Sequence, residues 1–135
     1  MSLFNFKKKK LSPQEKSEML YTEGMTLIEN GYWETAFNVI GEAAALSHRG
    51  AVGQLAMMYI FGKGCEINRE KGIELLKKSV ELGNMYSCYA FSVLFDNGIE
   101  EITADEAKRM CEMAAEAGMP EAVERLNKGF VMREC

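Results

Sequence analysis

Four cysteines and one histidine are the residues of widest chemical range in this sequence. Cys65, Cys88, Cys111 and Cys135 recur about every 23 residues, with no C-x-x-C and no close pair. Structural zinc takes ligands paired about two to four residues apart, so this spacing offers no metal site. His48 stands beside Arg49, where one helix should turn into the next. No second ligand or general base stands at a workable spacing from it, so it reads as a turn residue. Gly62-Lys63-Gly64 lacks the further glycine, the following Ser or Thr and the preceding strand of a phosphate loop. These glycines are read as reversing the chain. With no catalytic residue, metal ligand or phosphate cradle in view, the expectation is a non-enzyme with no cofactor and no small-molecule substrate.

The elements that carry these residues must come from 135 residues, 47% hydrophobic and 27% charged. That is enough for one domain or one short repeat array with a buried core. Pro13 and Pro120 are the only prolines, which leaves long stretches free to be helical. The ten methionines suit helix, and most are assigned to the core. Charge is unevenly placed. Lys7, Lys8, Lys9 and Lys10 take four of the 16 basic residues, leaving 12 against 20 acids, so residues 11–135 sum to -8. An acidic body argues against general nucleic-acid binding, which needs clustered positive charge. The start, MSLFNFKKKK, has its apolar residues before its lysines and no apolar core behind them, unlike a secretory signal. Ser2 stands where myristoylation needs glycine. No stretch approaches the roughly 18 apolar residues that span a bilayer. The chain is read as cytoplasmic, with reduced, partly buried thiols.

The chain repeats itself. Residues 70–83 align without gaps on residues 105–118, at an offset of 35. An earlier copy starts at Ala36, offset by 36 from Gly72. Small residues recur at Ala36, Gly72 and Ala107, and again at Ala43, Ser79 and Ala114. A second kind of segment alternates with the first: residues 51–62 match residues 87–98. Ser12-Pro13-Gln14-Glu15 and Thr103-Ala104-Asp105-Glu106 read as capping boxes, and Asn68 as an N-cap. Gly31, Gly62, Gly83, Gly98 and Gly118 fall where helices should stop. The spacing predicts helices near 13–30, 33–47, 50–61, 69–82, 85–96, 103–117 and 120–133, and no strands.

Ala51, Leu55-Ala56, Tyr59, Gly62-Lys63-Gly64, Lys71-Gly72, Lys78-Ser79 and Gly83 resemble a Sel-1-like repeat. Residues 85–118 match less fully, because Gly98-Ile99 lacks the second glycine. Gly24, Gly31-Tyr32-Trp33, Ala36 and Ala43 look like the related tetratricopeptide repeat. The resemblance implies an all-α, right-handed α-α superhelix, a short solenoid of about three helix hairpins plus a C-terminal capping helix. It places the repeat domain at 13–135, behind a flexible basic segment at 1–12. It also implies a concave groove lined by the first helix of each pair. Carried over residue by residue, its positions are Tyr21, Met25 and Ile28, then Gly53, Met57, Ile60 and Phe61. Tyr86, Tyr89, Val93, Asp96, Asn97 and Arg125 complete it. One branch of the family bridges its helices with paired cysteines and is linked with β-lactam binding or hydrolysis. Cys88 matches one member of such a pair, but its partner position holds Val80. No serine has a lysine three residues on, as the serine hydrolases of that kind require.

The expected function is a protein-interaction scaffold or adaptor that holds a partner peptide or protein in the groove. A bacterial immunity or regulatory protein that neutralises a partner enzyme is a sharper alternative. A membrane-peripheral protein is a competing one, with weak contact through Leu3, Phe4, Phe6 and Lys7 to Lys10.

Overall fold

The computed structural model describes residues 10–128. The expected roles of Leu3, Phe4, Phe6 and Lys7 to Lys9, the end of the last expected helix and Cys135 lie outside those residues. Seven helices run in order among the described residues: α1 (Pro13–Glu29), α2 (Trp33–Ala45), α3 (Arg49–Phe61), α4 (Arg69–Glu81), α5 (Met85–Asp96), α6 (Ala104–Glu116) and α7 (Pro120–Asn127). None is long and apolar enough to cross a membrane.

Local chemistry explains where each helix starts. Ser12 Oγ accepts the Glu15 N–H at 3.1 Å, and the Glu15 carboxylate accepts the Ser12 N–H at 3.1 Å. This is the reciprocal box the sequence predicts, with Pro13 in the first turn where no N–H is needed. Asn68 caps α4 through Lys71 N–H. The second expected box is only half made. Thr103 Oγ1 caps Glu106 N–H, but the Glu106 carboxylate turns to Lys77 Nζ at 3.3 Å. A cross-helix ion pair thus replaces the return bond and ties α6 to α4.

The closest backbone packing is between helices adjacent in sequence, as in a solenoid. It is tightest within the hairpins α1–α2, α3–α4 and α5–α6, and sparsest between α4 and α5. Gly72 shows why small residues recur at fixed offsets. A Cβ there would stand 2.5 Å from Ile60 Cγ1 and 2.8 Å from the Ala56 carbonyl oxygen. Hydrogen alone lets α4 lie this close on α3.

Three apolar clusters succeed one another along the array. The first joins α1, α2 and α3 around Ala36, Ile40 and Val52. The second runs from α3 to α6 around Ile60, Leu76, Phe91 and Leu94. Cys88, Cys111, Ala114 and Ala122 form the third, which seats α7 on α5 and α6.

Candidate binding groove

The N-terminal halves of α1, α3 and α5 stand side by side and leave a groove of about 1230 Å3 between them. Two glycines on α3, one turn apart, shape its floor. A Cβ on Gly50 would meet His48 Cε1 and Tyr21 Cζ, both at 3.1 Å. A Cβ on Gly53 would meet Ser87 Oγ at 2.8 Å, with Asn84 Nδ2 and Ser79 Oγ at 3.0 Å. Each glycine makes room for a polar junction, one toward α1 and one toward α5.

At the first junction His48 is the N-cap of α3. Its Nδ1 accepts the Ala51 N–H at 3.1 Å. In the neutral ring the proton therefore sits on Nε2, which lies 2.8 Å from Glu18 Oε1 on α1 and donates to it. The imidazole also stacks on Tyr21, with ring centroids 4.4 Å apart and planes 23° from parallel. Reading His48 as a turn residue agrees with this geometry, although its reach into α1 is not written in the turn. At the second junction Asn84 occupies the equivalent capping position. Its Oδ1 accepts from Tyr86 and Ser87 N–H, and its Nδ2 donates to the Arg49 carbonyl at 3.3 Å. Ser87 Oγ donates to Ser79 Oγ at 2.8 Å, and Ser79 Oγ donates to the same Arg49 carbonyl at 2.9 Å. Buried hydroxyls are thereby satisfied across the gap between repeats.

The residues expected in the groove are only partly brought together. Tyr21, Met57 and Tyr86 line it, with Gly53 beneath them. Tyr86 is 74% exposed, and Leu46, also on the lining, is 39% exposed. Met25 and Ile28 lie further along α1, half-buried against the first core cluster. Tyr89 is half-buried in the third cluster, and Val93 is half-buried one turn on. Phe61 is exposed at the C-terminal end of α3, and Asn97 is exposed as the C-cap of α5. Ile60 is not a groove residue. It is 1% exposed and inserts toward α4, in the space opposite Gly72. Asp96 and Arg125 pair with each other, and Arg125 Nη2 also reaches the Ser92 carbonyl at 3.3 Å. That pair fastens α7 to α5.

Sequence reading did not place Glu18, His48, Arg49 and Asn84 in the groove, although all four lie on its lining. The signal available was the offset of 36 between His48 and Asn84, which marks both as caps of equivalent helices.

The described thiols lie away from the groove. Cys65 is half-buried, Cys88 and Cys111 are buried, and all three are free. Burial pushes the Cys65 and Cys88 thiols up from the ordinary value. Burial also raises Cys111, against a smaller lowering by hydrogen bonding with Ser92. None has the depressed pKa of a reactive thiolate.

No family model matches the chain, and no curated protein sequence matches it. The crystal structure of a Sel1 repeat protein from Oxalobacter formigenes superposes with a TM-score of 0.66. It is 17% identical and covers 87% of this chain and 48% of that one. The chain therefore has the Sel1-repeat fold, an all-α array of helix hairpins. It spans about half the length of that solved protein.

Proposed function

We propose that this chain is a protein-interaction scaffold whose groove between α1, α3 and α5 holds a segment of a partner protein. The observation that carries this reading is the groove itself. It is open, about 1230 Å3 in volume, and lined by the first helices of a repeat array, with exposed Tyr86 and Leu46 and the methionine Met57. An aromatic side chain with an apolar body and a polar tip gains much by covering and needs little ordering. Met57 adds an adaptable apolar surface beside it. Helix-capping bonds and apolar packing already use the buried groups around the groove, so recognition falls to the exposed lining.

Affinity capture from the native cell lysate tests the proposal. Wild type is compared with a Met57→Glu/Tyr86→Ala double variant and with Glu74→Lys, which changes an exposed position on α4 away from the lining. Far-UV circular dichroism establishes that each variant is folded. Partners held by wild type and Glu74→Lys but lost by the double variant support a groove-binding scaffold. Equal capture by all three moves binding off the groove and sinks the proposal.

A further inference from the structure

We infer that His48 is a proton-operated latch on the groove wall, holding the first turn of α3 through Ala51 when neutral and giving up that cap when protonated on Nδ1. Its control over partner binding rests on the groove reading above, whereas the latch itself does not.

Both ring nitrogens are committed, and one protonation state serves both bonds. Nδ1 must be bare to accept the Ala51 N–H, and Nε2 must carry the proton to donate to Glu18. A proton taken from solvent by Nδ1 turns that acceptor into a donor. Two N–H groups then face each other across a nitrogen–nitrogen distance of 3.1 Å. The ring becomes a cation at the positive pole of α3, where positive charge is disfavoured. Only a rotation of the imidazole away from Ala51 relieves both, and that rotation breaks the stack on Tyr21.

Glu18 is the one carboxylate facing the ring from α1, and it attracts the imidazolium. Its side chain is 66% exposed, so solvent screens that gain. Tyr21 faces the ring from the same helix through its aromatic face. Arg49, next in the chain, carries its Nη1 toward Gly83. The turn after α2 brings Leu46 and Ser47 to the lining, and α4 and α5 bring no charged side chain to it. Protonation on Nδ1 costs the Ala51 cap, while Nε2 still donates to Glu18. At the second junction Asn84 does the equivalent capping with an amide, which does not titrate. A proton on Nδ1 therefore loosens the start of α3 and leaves the Asn84 cap of α5 in place.

The test needs no partner, so a groove that binds nothing leaves it intact. Nuclear magnetic resonance on the full chain follows the His48 ring, the Tyr21 ring and the Ala51 amide from about pH 8 to about pH 5. Wild type is compared with His48→Asn, which places Asn84's type of cap at α3. The latch predicts that Ala51 loses roughly tenfold in exchange protection, after correction for intrinsic pH dependence, as the imidazole titrates. Tyr21 ring resonances move in the same step, and His48→Asn shows neither change. Constant Ala51 protection through the imidazole titration overturns the proposal. So does an equal change in His48→Asn. Should that variant fail to fold, the wild-type titration decides alone.

Discussion

Ser47 is the residue whose backbone is out of character. It has a φ of 62°, the one positive φ among the described non-glycine residues. The equivalent positions in the next two repeats are Gly83 at 94° and Gly118 at 91°. A left-handed conformation costs an L-residue about 1–2 kcal/mol, and glycine escapes that cost while losing more entropy on folding. Ser47→Gly is therefore expected to stabilise the protein by about 1 kcal/mol, read as a higher urea midpoint with unchanged slope. An unchanged or lower midpoint would mean that the turn is not strained. The glycine stops of the helices were legible in sequence because glycine marks a left-handed turn. Ser47 carries no such mark, and only its alignment with Gly83 and Gly118 points to it. The groove residues divide in the same way. Tyr21, Met57 and Tyr86 follow from carrying repeat positions onto the helices. Ile60 does not, because the space opposite Gly72 draws its side chain into the core rather than to the concave face.

Helices were the most legible elements, since their starts are fixed by short-range caps and their stops by glycine. The observed helices through α6 begin and end within two residues of their expected bounds. How each helix is fastened to the next was less legible, because those bonds join residues about 30 apart, such as Ser79 with Arg49 and Arg125 with Asp96. The seam of α5, α6 and α7 shows one consequence. Cys88 and Cys111 are both 0% exposed there, and burial disfavours both thiolates. Below the ordinary thiol value of 9.0 both folded and unfolded chains keep these groups neutral, and the full stability is present. As pH rises above that value the unfolded chain ionises first, so stability is lost with each further rise. Between about pH 8 and about pH 10 the urea midpoint is expected to fall more in wild type than in Cys111→Ala, which lacks one of these titrations. Equal falls in the two proteins would show that the seam thiols do not contribute.

At the scale of the whole molecule the question is whether a short array unfolds as one unit. Repeat proteins couple only through neighbours, so cooperativity is as strong as the weakest interface. Here that interface lies between α4 and α5, where close packing is sparsest. The polar junction around Gly53 fixes geometry there but adds little net energy, since its hydroxyls exchange water for one another. What joins the halves is Phe91, fully buried in the cluster that reaches from α3 to α6. Truncating a buried phenylalanine to alanine costs about 3–5 kcal/mol, and here the loss falls on the coupling between repeats. Trp33, the one tryptophan, sits at the start of α2 and reports on the first hairpin. Circular dichroism reports on all the helices. In wild type the two signals are expected to give one urea midpoint. In Phe91→Ala the circular dichroism transition should begin at lower urea than the Trp33 transition, as α5, α6 and α7 open first. Coincident transitions in that variant, shifted together to lower urea, would show instead that backbone contacts and the polar junction keep the array a single cooperative unit without Phe91.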